Sequence, residues 1–161
     1  MEPLASNPLG LLTFIAAPAI LTNASSIMSL GTANRFARAI DRARALSKEV
    51  GEHPRDDDPN TKLRVRQLRY AERRAQLLVR ALTAFYLSVG SFGAASLISL
   101  VAGALFVVQQ ELARQIALGV ALSAGVVGVG GLVVGSGILV LETRMTLFIL
   151  REETAMMAGS K

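Results

Sequence analysis

The chain has 161 residues, a mean hydropathy of +0.45 and a hydrophobic content of 52%. Its apolar residues fall into long blocks, which are typical of membrane-spanning helices rather than of a soluble core. The chain contains no cysteine, which excludes disulfides and cysteine-ligated metals. The net charge of +5 does not point to nucleic acid, because the excess is concentrated in one segment between apolar blocks, as in cytoplasmic loops of membrane proteins.

The first apolar block, residues 9–31, predicts a membrane span with Pro18 inside it. At ~1.5 Å per residue it reaches roughly 34 Å, enough for a hydrocarbon core of about 30 Å. Its second half carries a polar stripe of Thr22, Asn23, Ser26 and Ser29. The simpler interpretation of this stripe is hydrogen bonding to neighbouring helices. The alternative is a face that lines a path through an oligomer.

A basic segment follows, residues 34–80, with 13 of the 17 Lys and Arg residues and 7 of the 12 acidic ones. Two amphipathic helices are predicted in it, separated by a turn-rich stretch at residues 51–60, with Asp58 and Pro59 as a helix start. Their apolar stripes have helical spacing and can face each other in an antiparallel hairpin. The stripes are Phe36, Ile40, Ala43, Leu46 and Val50, and Leu68, Ala71, Ala75, Leu78 and Leu82.

Two further apolar blocks predict the second and third spans, residues 81–108 and 116–141, with a polar turn at 109–115 between them. Small residues recur along both spans and predict surfaces where another helix approaches closely. They are Ser91, Ala95, Ser99 and Gly103 in the second span, and the GxxxG pair Gly131 and Gly135 in the third. These surfaces favour self-association of the chain.

The charge distribution predicts the topology. The basic segment lies on the cytoplasmic side, so three spans place the N-terminus and the 109–115 turn outside. The tail, residues 142–161, then lies on the same side as the basic segment. The sequence therefore predicts an all-α membrane protein with three transmembrane helices and a cytoplasmic helical hairpin between spans one and two.

Charged residues at the inner ends of the spans form the best candidate site, an interface with partners or lipid headgroups. They are Asn34, Arg35, Arg38, Asp41, Arg42, Arg80 and Glu142. One interpretation is a basic belt whose side chains extend to the headgroups. The other is a polar cluster joining the inner ends of all three spans. An acidic side chain at the end of a span is costly unless paired, so we expect Glu142 to pair with Arg35, Arg38 or Arg80.

The junction after the first span reads TANRFARAIDRARAL, from Thr32 to Leu46. Its Asn34-Arg35 pair, the Arg38 that follows and the Asp41-Arg42 pair come after an apolar helix that contains proline. An arginine-rich stretch, residues 62–80, then leads back toward the membrane. This pattern resembles a bacterial family of small membrane proteins, domain of unknown function family 2721. The resemblance implies an integral protein of the bacterial cytoplasmic membrane with this topology, and it implies no activity.

No catalytic constellation, metal site or cofactor motif is evident in the sequence. The leading hypothesis is a non-enzymatic membrane protein that assembles or recruits partners through its basic hairpin. We expect it to bind anionic lipid headgroups, to form a homo-oligomer and not to bind nucleic acid; its protein partner is not indicated. The alternative is a homo-oligomeric channel or transporter with the polar face of the first span lining a path.

Overall fold

The computed structural model describes residues 8–52, 59–107 and 109–159. These residues form three long helices: α1 spans Pro8–Glu52, α2 spans Pro59–Val107 and α3 spans Glu111–Gly159. The prediction of an all-α fold is confirmed. Helix α1 continues through Pro18, and α2 begins at Pro59, where proline suits the first helical position because that position needs no amide donor. Most of the predicted turn-rich stretch at 51–60 lies outside the described residues.

The connection between α2 and α3 is shorter than the predicted turn at residues 109–115. Helix α3 already begins at Glu111, whose carboxylate in the first turn suits the positive end of the helix. Gln109 has a positive φ of 60°, and the amide of Gln110 donates to the Leu105 carbonyl at 3.2 Å. This is the hydrogen-bond pattern of a Schellman cap, which ends a helix within a few residues. Sequence reasoning missed it because glycine usually occupies the position of Gln109.

Among the residues that the structure describes, two stretches are long and apolar enough to cross a membrane, Lys62–Leu105 and Glu111–Leu147. They contain most of the second and third predicted spans. The first predicted span lies in α1, where the side chains of residues 8–12, 14 and 15 are outside the described part. Helix α3 also continues to Gly159, so most of the predicted tail at 142–161 belongs to the same helix as the third predicted span.

The chain divides into two compact units. The apolar unit combines Met1–Leu30 with Thr83–Val134, and the basic unit combines Gly31–Leu82 with Gly135–Lys161. Each unit takes one segment from α1, one from α2 and one from α3. The predicted hairpin segment therefore belongs to a unit that also includes the last part of α3.

In the apolar unit, α2 buries residues at alternating spacings of three and four: Phe85, Ser88, Phe92, Ala95, Ser99 and Ala102. This is the spacing of a helix face that packs along neighbouring helices. Two glycines of α3 approach it closely. A Cβ at Gly131 would overlap Ser88 Oγ and lie 2.8 Å from the Ala84 carbonyl oxygen, and a Cβ at Gly128 would lie 2.7 Å from the Phe92 ring. Small residues thus allow α2 and α3 of one chain to meet.

The small residues that the sequence predicts as helix-packing surfaces differ in their burial. Ala95 and Ser99 are buried, and Ser91 and Gly103 are half-buried. Gly131 is half-buried against α2, as described above, and Gly135 is buried in the basic unit. The contacts of Gly131 are made within one chain, so this glycine does not require a second copy to explain it.

In the basic unit, Ala39 of α1 and Ala75 and Leu78 of α2 form the buried core. Phe36, Ile40 and Leu139 pack against this core, so α3 contributes to it as well. All ten residues of the two predicted apolar stripes are buried or half-buried. The stripes were correctly placed on the inner side, and α3 supplies apolar surface that the two narrow stripes lack.

Candidate functional site

Among the described residues of the basic unit, Glu142 is the buried charge, with 2% of its surface exposed. It lies on α3 seven residues after Gly135, which is also buried; Gly128 and Ala121 precede these at the same spacing and are buried in the apolar unit. A repeat of seven residues returns to nearly the same face of a helix. The face of α3 that carries small residues through the apolar unit therefore carries a carboxylate in the basic unit.

Two arginines from the other two helices flank this carboxylate. Arg74 Nε of α2 donates a hydrogen bond to Glu142 Oε1, and Arg35 Nη1 of α1 lies 3.7 Å from Glu142 Oε2. One carboxylate thereby links α1, α2 and α3. The main-chain carbonyl of Glu142 also accepts a hydrogen bond from Thr146 Oγ1 at 3.0 Å. We call Glu142, Arg35 and Arg74 the carboxylate cluster.

The exposure of the three side chains explains how this cluster tolerates burial. The side chains of Arg35 and Arg74 are 46% and 39% exposed, whereas that of Glu142 is 2% exposed. A buried carboxylate without partners costs several kcal/mol, and here each oxygen has its own guanidinium. The arginines keep part of their surface outside, so only one of the three charged groups is fully desolvated. The cluster carries a net charge of +1.

The sequence predicts part of this arrangement. Arg35 is one of the three partners expected for Glu142, and the structure pairs them. Arg74 is the second partner, in place of the expected Arg38 or Arg80. A signal for Arg74 was available, because it lies three residues after Ala71 and four before Leu78, at the edge of the inward stripe of α2. The expectation rested on residues lying at a similar depth in the membrane, whereas the face of the helix decides which arginine reaches Glu142.

The remaining residues of the predicted interface lie on the outside of the basic unit. They are Asn34, Arg38, Asp41, Arg42 and Arg80, and all five are exposed. The structure therefore separates the predicted set into an ion pair, Arg35 with the buried Glu142, and an outer charged surface formed by the other five residues. The sequence does not make this division, because each of these residues is polar enough to face either water or a partner.

An open cavity of about 290 Å³ lies beside the carboxylate cluster. It is lined by two arginines, Arg35 of α1 and Arg144 of α3, and by Leu139, Val140 and Thr143 of α3. Thr143 Oγ1 donates to the Leu139 carbonyl at 2.9 Å. The cavity thus combines two cations with apolar side chains, and its lining contains no carboxylate.

The predicted path-lining residues do not share one environment. Thr22 is half-buried, Asn23 and Ser26 are exposed, and Ser29 is buried. The three hydroxyls donate to carbonyls four residues earlier in α1: Thr22 to Pro18 at 2.8 Å, Ser26 to Thr22 at 2.9 Å and Ser29 to Ser25 at 2.9 Å. These bonds lie within α1 rather than between helices. The exposure of the four side chains therefore differs along the predicted stripe.

Ser25 differs from these neighbours, because its Oγ is fully buried and has no hydrogen-bond partner among the described residues. A buried unsatisfied hydroxyl costs about 1–3 kcal/mol. We expect Ser25→Ala to leave the free energy of unfolding unchanged or to raise it by about 1 kcal/mol. Thermal unfolding in detergent measures this effect. Ser29→Ala is the matched control, because it removes a hydroxyl that is equally buried but bonded; a loss of stability in Ser25→Ala larger than in the control would show that Ser25 has a partner.

The comparisons with known proteins give a family and no function. A family described as protein of unknown function (DUF2721) matches residues 15–152, and the chain belongs to this family. The match includes both the carboxylate cluster and the outer charged surface. Neither a curated protein nor a solved structure matches the chain.

Proposed function

We propose that this chain is a non-enzymatic protein of the bacterial cytoplasmic membrane that recruits an acidic partner through its basic unit. In this proposal α1, α2 and α3 each contribute a span, the N-terminus lies outside, and the two arms of the helical hairpin at 34–80 lie in the cytoplasm. The observation that carries the proposal is the outward position of most arginines of the basic unit.

The surface of the apolar unit supports the membrane location. Large apolar side chains are exposed on all three helices, including Ile20, Leu97, Val101, Val126 and Val133, each more than half exposed. Exposure of so many large apolar side chains is unfavourable in water. In a bilayer the same side chains contact lipid tails, and the small buried residues hold the helices together.

The arginines of the basic unit divide into two groups. Arg35 and Arg74 contact Glu142, whereas seven others among the described residues of α1 and α2 are exposed and do not contact it: Arg38, Arg42, Arg44, Arg66, Arg69, Arg73 and Arg80. The pairs Arg38 with Arg42 and Arg69 with Arg73 are each four residues apart and therefore lie on one face of their helix. Two basic ridges result, one on each arm.

The length of the arms favours a partner over the headgroups of the same membrane. Residues 31–52 form an unbroken part of α1, which at ~1.5 Å per residue is roughly 33 Å of helix. The attraction of anionic headgroups falls off within a Debye length, about 8 Å at physiological salt. A helix that leaves the membrane therefore carries its distal arginines beyond the reach of that attraction, where an acidic protein segment can bind them.

Binding of an acidic polypeptide to the full-length protein tests the proposal. The protein is placed in nanodiscs of zwitterionic lipid, and fluorescent polyglutamate is titrated in at increasing salt. The variant carries Arg38→Gln, Arg42→Gln, Arg69→Gln and Arg73→Gln. We expect its affinity to fall at least tenfold, about 1.4 kcal/mol, with a weaker dependence on salt.

Arg114→Gln is the control, because Arg114 lies at the other end of α3 in an exposed pair with Glu111. Equal affinity in the fourfold variant and the control would refute the proposal. An RNA of equal charge that bound more tightly than polyglutamate would also refute it, in favour of nucleic acid.

The expected homo-oligomer remains part of the proposal, and the mass of the protein in nanodiscs measures it against a subunit mass of 17.0 kDa. A channel would need a ring of subunits around a polar face. The exposed Asn23 and Ser26 and the buried Ser29 do not favour that alternative.

A further inference from the structure

The cavity beside the carboxylate cluster has the chemistry of an anion site. Arg35 and Arg144 reach it from different helices, and Leu139 and Val140 supply apolar surface next to them. Arginine guanidinium groups carry five donors in a fixed fork that suits phosphate oxygens. Two such groups on one small cavity of about 290 Å³ can contact a single phosphate from two sides.

Arg35 keeps N–H donors available for a ligand, because Arg74 is the arginine that donates a hydrogen bond to Glu142. Arg74 donates directly to Glu142 Oε1, whereas Arg35 Nη1 stands 3.7 Å from Oε2, beyond an ordinary hydrogen bond. Arg144 is exposed and forms no ion pair with the residues that the structure describes. The positive charge of this cavity is thus largely uncompensated, although a carboxylate lies behind one of its arginines.

We propose that this cavity binds the phosphate of an anionic phospholipid, with Arg35 and Arg144 as donors and Leu139 and Val140 against the upper part of the lipid. The apolar side chains favour a lipid over free phosphate, which has no apolar part to contact them. The location agrees, because Leu139 and Val140 come directly before the last residue of the predicted third span and Arg144 follows that span. The inference rests on the membrane topology of the proposed function and not on partner recruitment.

Glu142 has a positioning role in this arrangement. Its carboxylate keeps Arg35 at the edge of the cavity, and Arg74 keeps that carboxylate from drawing Arg35 fully away. A bound phosphate would compete with Glu142 Oε2 for the Arg35 guanidinium. The loose distance between Arg35 and Glu142 allows this exchange without breaking the bond between Arg74 and Glu142.

Lipid retention by the full-length protein tests the inference. The protein is reconstituted in nanodiscs of phosphatidylcholine with a minor fraction of phosphatidylglycerol, extracted into detergent, and the retained lipid is counted by native mass spectrometry. We expect selective retention of phosphatidylglycerol, reduced about tenfold in Arg144→Gln, the loss of one bidentate contact. Arg144→Lys should keep part of the retention, since lysine preserves the charge and loses the fork.

Arg114→Gln and Arg42→Gln are the matched controls, one at the far end of α3 and one on the outer surface of α1. Arg144 is exposed, so its variant should fold, and an unchanged melting temperature would verify this. Retention that is equal in Arg144→Gln and the controls would overturn the inference. Displacement of the lipid by millimolar inorganic phosphate alone would overturn it as well, in favour of a site for free anions.

The two proposals fail separately. If the fourfold arginine variant loses polyglutamate binding but retains lipid normally, the result bears on partner recruitment alone. Loss of lipid retention in Arg144→Gln with normal polyglutamate binding concerns the cavity alone. Failure of selective lipid retention in the unaltered protein would remove the inference and leave recruitment to its own test.

Discussion

Replacing Arg35 and Arg74 together by glutamine should lower the free energy of unfolding by about 3–5 kcal/mol, because it leaves the buried carboxylate of Glu142 without a cation. Either replacement alone should cost less, since one guanidinium remains. The single change Glu142→Gln should cost about 1.5–3 kcal/mol, the range for a hydrogen bond to a charged group. The two arginines are part-exposed and can then turn to water.

Adding Glu142→Gln to the double arginine variant should recover much of the loss, because no buried charge then remains unpaired. Chemical unfolding of the full-length protein in mixed micelles gives the four free energies of this cycle. Arg114→Gln is the control: Arg114 meets Glu111 at 2.7 Å, but the Glu111 side chain is 59% exposed, so the pair contributes less than about 1 kcal/mol. A double variant no less stable than this control would show that Glu142 is not a structural charge.

Alanine at two adjacent glycines of α3 should change stability in opposite directions. At Gly131 the new Cβ would overlap Ser88 Oγ and lie 2.8 Å from the Ala84 carbonyl oxygen, so α2 must move away. Overpacking of this kind costs about 1–3 kcal/mol. At Gly130 a new Cβ would meet no described atom within 4 Å apart from its own stretch of helix backbone, and alanine gains about 0.5–1 kcal/mol as a better helix former.

Thermal unfolding of Gly131→Ala and Gly130→Ala in the same detergent measures both changes in stability, the expected loss and the expected gain. Gly128→Ala adds an intermediate case, since its Cβ would meet the Phe92 ring at 2.7 Å and a side chain moves more readily than backbone. The loss of stability caused by Gly128→Ala should be smaller when Phe92→Leu is also present. Equal stability of the Gly130 and Gly131 variants would contradict the close approach of α2 and α3 at this point.

The amino-acid sequence predicts the helices well because their signals are local. Apolar blocks longer than a soluble helix needs, and the Asp58-Pro59 start, depend only on neighbouring residues. The inward stripes of the basic segment follow from helical spacing in the same way. The unexpected start at Glu111 has a local reason too, since a polar residue followed by an acidic one serves equally as a turn and as the first turn of a helix.

The carboxylate cluster was harder to predict because it depends on how three helices are rotated about their axes. Similar depth in the membrane suggested Arg80, whereas the face of α2 selects Arg74. The same limitation affects the polar stripe of α1, where Ser29 is buried and Ser26 is exposed only three residues away. The residue type determines the free-energy cost of burying a side chain, and only the packing of the helices shows which residue is buried.

The short connection capped at Gln109 has a consequence for the order in which the chain assembles. Contacts such as that of Gly128 with Phe92 close over a few dozen residues, and loop-closure entropy is smallest for such local contacts. Arg74 and Glu142 are 68 residues apart, and Arg35 lies farther still along the chain. Ala39 of α1 and Ala75 of α2 belong to one buried cluster and are about as close along the chain as Phe92 and Gly128. We therefore expect either pair of neighbouring helices to form before the contact that links α1 to α3. The Arg35–Glu142 contact then reports that assembly is complete, so a probe at Arg35 would distinguish a finished molecule from a two-helix intermediate.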